Sequence, residues 1–401
     1  MSQPSRRAIL AGAALVTAGT AMAQEQPSVP APVEGNRGAP ILGPRNPTRE
    51  AEDPDLVAPP PTDNGSLPNL RFSFADAHVK MRDGGWSRQV TQHELPVATT
   101  IAGVNMRLTA GGVRELHWHK EAEWSYMLAG NARITAVDTD GHNFVADVGP
   151  GDLWYFPEGI PHSIQGLGPD GCEFLLAFTS GSFSEDSTFA ITDTFAHMPT
   201  EVLAKNFGVP RSEFGRIPKA ERFIFQAEAP PPLEDDVVPD PQGHVQSMMF
   251  RLGDLPPITS PGGRVRIADT SNFKIAKHLA AALVEVDPGH IREIHWHPNA
   301  DEWQYYIAGK ARMTVFAAEG NARTFDYQAG DVGYVPMSMP HYVENTGSET
   351  LRFLELFRAP RFEDVSLAQW MALVPPELVE AHLNLDSQFV AGLRKVKQPV
   401  V

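Results

Sequence analysis

Two stretches of this chain repeat one another. Gly111 to Gly130 reads GGVRELHWHKEAEWSYMLAG, and Gly289 to Gly309 reads GHIREIHWHPNADEWQYYIAG. A second pair follows: GDLWYFPEGIPHSIQ from Gly151 and GDVGYVPMSMPHYVEN from Gly330. His117 and His295 lie 178 residues apart and His162 and His341 lie 179 apart, because the second copy has one extra residue before its glutamate. A period of this size duplicates a whole domain rather than building a solenoid. The 401 residues must therefore fold as two similar halves, each long enough to bury its own core.

Both halves read as β-structure. Short β-branched, aromatic and apolar runs alternate with Gly, Pro and Asp punctuation: Trp124–Leu128, Arg133–Val137, Leu153–Phe156 and Glu173–Phe178, then Trp303–Ile307, Arg312–Phe316, Val332–Val335 and Leu351–Phe357. Many short strands with turns between them predict a sandwich or small barrel in each half. Each half closes on a helical piece, Thr200–Asn206 and Pro376–Leu383. Residues 70–225 and 246–401 are the expected domains, with the APPPLEDDVVPDP composition marking 226–245 as their linker. Residues 24–69 are Pro-rich and lack periodicity, which predicts an extended arm along the surface, or disorder.

The N-terminus reads as an export signal over 1–23. Arg6-Arg7 precedes the apolar run Ala8–Val16, and Ala21-Met22-Ala23 supplies a small-residue cleavage site. The paired arginines favour a twin-arginine signal over an ordinary secretory one, hence a periplasmic or secreted protein. The run is too short for a membrane span, and no other segment resembles one. Cys172 is the only cysteine, so no intramolecular disulfide forms; in its strand it reads as a small buried residue. The net charge of -16 excludes a nucleic-acid partner. It also gives an anionic substrate no global steering, so such a substrate needs local positive charge.

The repeated polar residues supply a source for that charge. His117 and His119 stand at i and i+2, which on a strand places both imidazoles on one face. Glu123 follows across a turn, and His162 arrives from a distant strand. The second set is His295, His297, Glu302 and His341. Eight ligand-type residues at matched spacings point to two metal sites. Three imidazoles and one carboxylate leave positions open on an octahedral ion, which favours Mn(II), with Fe(II) second; zinc would be closed by the same four ligands.

The spacing G-x5-H-x-H-x3-4-E-x6-G followed by G-x5-P-x-G-x2-H resembles the paired motifs of the cupin superfamily. Ser338 replaces the last glycine of the second motif in copy two, and Gly166 stands where copy one would carry an asparagine like Asn345. The resemblance extends over nearly the whole chain after the signal. It implies an all-β fold of two tandem jelly-roll barrels with short flanking helices. Among bicupins the chain most resembles oxalate decarboxylases. Their Ser-Glu-Asn-Ser-Thr lid is matched by Ser184-Glu185-Asp186-Ser187-Thr188, with Asp in place of Asn; the extra charge would raise the pKa of Glu185 or alter lid closure.

The resemblance implies conversion of oxalate to formate and CO2 with manganese in both domains and O2 required but not consumed. Glu185 would shuttle the proton, Arg114 would hold oxalate, and Arg292 with Glu355 would form the second-site pair. A trimer or hexamer is implied as well. Taken on the residues alone, each of these has a plainer reading: a solvated loop for Glu185, surface ion pairs for the arginines, a solvent-facing strand residue for Glu355. Arg114 lies three residues before His117, so on a regular strand it faces away from the ligands, and only a bulge turns it inward. The second copy has PRFEDVSL where the lid would be, so turnover is expected in the first domain. For Trp118 and Trp296, between the paired histidines, the resemblance implies electron transfer between subunits, whereas the residues alone read as packing on the sheet face opposite the ligands. Trp154 is expected to pack near the first site. The rival functions are oxalate oxidase, a dioxygenase of the quercetinase kind, and a non-catalytic storage or sugar-binding bicupin.

Overall fold

The computed structural model describes residues 46–56, 58–240 and 246–401. The export signal, the first half of the Pro-rich arm and the end of the linker lie outside the described residues.

Each half is a two-layer β-sandwich. In the first, a small sheet carries the strands Gly112–Trp118, Ala132–Val137, Asn143–Val148 and His162–Gly166, with the short strands Phe189–Ala190 and Ile224–Gln226 flanking Gly112–Trp118. A large sheet carries Val79–Arg82, Gly85–Val90, Ala102–Leu108, Glu123–Gly130, Asp152–Phe156 and Cys172–Phe178. The second half repeats the arrangement, with Ile291–Trp296 and His341–Asn345 in its small sheet and Glu302–Ala308, Asp331–Val335 and Leu351–Phe357 in its large one. Inward-facing residues such as Trp154, Phe156 and Phe174 are fully buried, as alternation on a two-layer fold requires. Helices Thr200–Phe207 and Pro376–Leu383 sit where the sequence predicts them.

The two large sheets share one continuous core, in which Trp124 and Phe174 join Trp303, Tyr305 and Leu354. Gly103 makes this approach possible: a Cβ there would lie 2.4 Å from the Trp303 ring.

The sheets cross the domain boundaries expected from the repeat. Arg71–Ser73 belongs by sequence to 70–225, yet it pairs antiparallel with Asp331–Val335 of the second half. Met249–Arg251 belongs to 246–401, yet it pairs with Asp152–Phe156 of the first. Each half lends a strand to the other's sheet edge. An edge strand left open is a template for aggregation, and the exchange covers one edge in each half.

Within the described part of the arm, Pro47–Glu52 forms a helix and Pro54–Leu56 a short 3-10 turn, where an extended run was expected. Its acids find partners on the second half. The Asp326 N–H donates to Asp55 Oδ1 at 3.3 Å and the Asp55 N–H donates to Asp326 Oδ2 at 2.9 Å, while Asp63 Oδ1 and Oδ2 accept from the Thr324 hydroxyl and N–H. Arg71 sits between Asp53 and Asp331, at 2.8 and 2.7 Å.

Burial, with Asp326 alongside, pushes the Asp55 carboxyl up to about 7. A carboxyl whose pKa is raised on folding contributes stability in its protonated form. That contribution is complete below the unfolded value near 4 and is lost as pH rises through about 7. The melting temperature should therefore fall between pH 5 and pH 8 by more in the wild-type protein than in Asp55→Asn, whose amide cannot ionise. Thermal unfolding of both proteins across that range checks this, and parallel curves would refute it.

Candidate metal centres

The first centre lies between the two sheets of its sandwich. His117 and His162 face each other on adjacent strands of the small sheet, His119 follows directly after His117's strand, and Glu123 opens a strand of the large sheet. Their ligand atoms lie within 4.8 Å of one another, and all four side chains are buried. His295, His297, Glu302 and His341 repeat the arrangement, buried alike.

The backbone sets the protonation of the rings. Nδ1 of His117, His119 and His162 lies 2.6, 2.7 and 2.8 Å from the carbonyl oxygens of Glu115, Glu121 and Ile160. A carbonyl only accepts, so each Nδ1 carries the hydrogen and each Nε2 offers a lone pair. His295, His297 and His341 are fixed the same way by the carbonyls of Glu293, Glu363 and Met339. Burial, with Arg114 and the neighbouring rings adding, holds His117 well below the ordinary histidine range; His295 behaves alike beside Arg292. At His341 the lowering effect of burial is outweighed by the Glu302 carboxylate. Burial raises Glu123, but its contacts with His119 and His162 win and hold it far below the carboxylate range.

The Nε2 atoms of His162, His295, His297 and His341 and Oε2 of Glu302 are buried without a hydrogen-bond partner. Uncompensated buried polar atoms are costly. One divalent cation in each centre satisfies the atoms there, so both donor sets fit a metal. Further contacts orient the carboxylates. Ser125 Oγ and Trp154 Nε1 donate to Glu123 Oε1 at 3.1 and 3.3 Å, while Gln304 Nε2 donates to Glu302 Oε1 at 2.8 Å. Trp154 thus packs against the first site as expected. Ser125 and Gln304 escaped the sequence reading, although each stands two residues after its glutamate and so shares its face of the strand.

The bulge that Arg114 requires is present. His117 pairs with His162 but Arg114 pairs with Ile164, three residues against two. The same irregularity separates Arg292 from His295. Both arginines are therefore buried, at 1 % exposure, on the same side as the ligands.

Their partners differ. Arg114 Nη2 lies 3.3 Å from Glu185 Oε2 and donates to Thr188 Oγ1 at 3.1 Å, and Nη1 donates to the Phe223 carbonyl. Glu185 lies in a short 3-10 turn, Glu185–Ser187, folded down over the site and 6 % exposed. Burial raises its carboxyl, with Arg114 partly opposing. Arg292 instead carries two carboxylates, Glu355 Oε1 at 3.1 Å and Asp364 Oδ2 at 2.7 Å, and Lys397 pairs with Asp364 in turn. Glu355 is thus fully buried rather than solvent-facing. In the first domain Leu176 occupies the place of Glu355 and Thr188 that of Asp364. Asp364 was not singled out in the sequence: it stands 176 residues after Thr188, off the 178–179 offset of the ligands, and only the strand pairing makes the two equivalent.

Removing one partner from a buried charge cluster is costly. Glu355→Ala should destabilise the protein by about 3 kcal/mol in denaturant unfolding, a loss that a surface residue would not produce.

Trp118 stacks on Phe189 with ring centroids 5.6 Å apart, and Trp296 meets Trp370 edge-on at 5.9 Å. Both lie on the sheet face opposite the ligands. Phe178 and Phe183 set their edges against His119, and Phe156 stacks on His162, which makes the wall of the first site apolar.

Comparison with known proteins accords with this geometry. The Cupin family matches twice, over residues 73–213 and 250–391. Oxalate decarboxylase OxdC of Bacillus subtilis is 55% identical over 379 residues, covering 94% of this chain and 98% of that protein. A probable oxalate decarboxylase of Arthroderma benhamiae is 40% identical and covers 92% of each chain. Among solved structures, Bacillus subtilis oxalate decarboxylase, studied for its Mn(II) centres, superposes with a TM-score of 0.90 at 55% identity, covering 93% of this chain and 99% of that one.

Proposed function

Because this chain belongs to the cupin family and carries two cupin domains with complete His/His/Glu/His sets, we infer that it is a manganese-dependent oxalate decarboxylase, converting oxalate to formate and CO2 with O2 as a catalytic partner. The observation that carries the reading is Glu185 buried against Arg114 beside the first ligand set, in a chain 55% identical to a decarboxylase over nearly its full length.

His117, His119, Glu123 and His162 would hold one manganese ion and His295, His297, Glu302 and His341 the other. Bound there, manganese supplies Lewis acidity and, with O2, a one-electron redox couple. The protein's own residues do the rest. The Arg114 guanidinium is a planar fork suited to the carboxylate of an oxalate monoanion. Glu185 accepts the proton of that monoanion as an electron leaves it, and returns the proton to carbon, as the same electron comes back, once the C–C bond has broken. The sum balances: HC2O4⁻ gives HCO2⁻ and CO2. With the segment down, Phe178 and Phe183 help keep water from the site. In the second domain the guanidinium of Arg292 is already neutralised by two acids. This supports turnover in the first domain and leaves Arg292 and Glu355 the role of maintaining the second centre.

Oxalate oxidase is the nearest rival, and oxygen uptake separates the two. In a closed oxygen electrode the manganese-loaded protein should consume oxalate with no net O2 loss, and it should stop when O2 is removed. Uptake of one O2 per oxalate would make it an oxidase.

We propose further that the chain is exported and that it self-associates. Arg6-Arg7 and the apolar run after them support twin-arginine export to the periplasm or beyond, and a strain lacking that pathway should retain the chain in the cytoplasm. Among the described residues, no helix is long and apolar enough to cross a membrane. Association with further copies of this chain, as a trimer or hexamer, is supported by matched apolar side chains. Val202 and Phe207 on one helix and Leu378 and Leu383 on its counterpart are all about half exposed. Sedimentation of a monomer would overturn that.

A further inference from the structure

The tip of the segment over the first site carries an acid, Asp186, next to Glu185. It does not stand alone. Lys80, on the edge strand Val79–Arg82, places its Nζ 2.7 Å from Asp186 Oδ1. The same ammonium lies 3.8 Å from the centre of the Phe223 ring. Phe223 is a fixed post: it is buried, its backbone sits at φ 61°, its N–H donates to Glu115 Oε2, and its carbonyl accepts from the Glu115 N–H and from Arg114. The Arg114 guanidinium lies 4.4 Å from that ring. A cation over an aromatic face is held by the ring's quadrupole, so Lys80 is anchored to the structure that also holds Arg114. On the lid itself, the Glu185 N–H donates to Gln89 Oε1, and Gly181 is tied to Thr99 and Gln92 at the base. The second domain has none of this: Ile258 stands where Lys80 does, opposite the matching register of its hairpin.

We propose that Lys80 is a positioning residue for Glu185, an ionic latch that holds the lid down by gripping Asp186. The proposal rests on the decarboxylase reading above. Neighbouring charges join the field. Glu221 is close enough to feel Lys80, Asp186 and Arg114, and Arg82 lies 5.8 Å from the Phe223 ring. Asp186 is largely exposed, its side chain at 78%, so the grip is modest and salt-sensitive.

Lys80→Met should lower kcat for formate about threefold, the scale of a partly exposed ion pair. KM should stay unchanged, because oxalate is held by Arg114, and the fraction of turnovers ending in peroxide should rise. Lys80→Arg should restore wild-type values. Adding sodium chloride should lower wild-type kcat toward that of Lys80→Met while leaving the variant flat. Manganese content and Tm of Lys80→Met should match wild type, which separates a latch from a folding role. Wild-type kcat and peroxide fraction in Lys80→Met would overturn the latch, as would a loss that keeps the wild-type salt dependence. Failure of the wild-type protein to make formate at all would instead sink the function on which the latch rests.

Discussion

Replacing Glu185 with glutamine should cut formate production by about a hundredfold or more, the usual contribution of a positioned acid–base group. Manganese content and Tm should not move, because Glu185 is no ligand and the amide keeps the shape of the side chain. The Arg114 contact at 3.3 Å involves Oε2 of Glu185, and an amide oxygen can still face the guanidinium. What the amide cannot do is take a proton and give it back. Without a returned proton the carbon left after CO2 departs has no route to formate, so the residual turnover should drift toward CO2 and peroxide. If the variant makes formate at the wild-type rate, the proton carrier lies elsewhere.

The second large effect separates the two centres. His162→Gln and His341→Gln remove equivalent ligands, and each should drop bound manganese from two ions per chain to about one, as two separate buried sets imply. Only the first should abolish formate. Arg114 faces the lid glutamate and has no other acid within ion-pair distance among the described residues, whereas Arg292 is held by Glu355 and Asp364. An oxalate carboxylate entering the second site would have to displace one of them. His341→Gln should therefore keep most of its activity while losing stability. Metal analysis beside a formate assay checks both, and loss of formate in His341→Gln alone would reverse the assignment.

The ligand sets were legible in the sequence because their signal is local and doubled. Two imidazoles two apart on a strand, with a glutamate and a distant histidine at matched offsets, leave few structures open. The inward turn of Arg114 was legible only as a condition. Parity along a regular strand points it away, and the bulge that reverses it depends on pairing with His162 and Ile164, which no local pattern encodes. The exchange of Arg71–Ser73 and Met249–Arg251 between sheets was hidden for the same reason: three-residue edge strands carry almost no periodicity. The charge partners were invisible in a different way. Lys80 and Asp186 are 106 residues apart, and Arg292 and Asp364 are 72 apart. Such pairs form only once the sheets have brought distant segments together. Asp186 read as added charge beside Glu185; in the structure that charge is met by Lys80.

The most direct measurement is the product ratio from ¹³C-labelled oxalate, followed by NMR and a peroxide assay on the manganese-loaded protein. One formate for each CO2, with little peroxide, is the result expected of Arg114 and Glu185 acting on oxalate in the first barrel. Two CO2 and one peroxide per oxalate, with no formate, would contradict it.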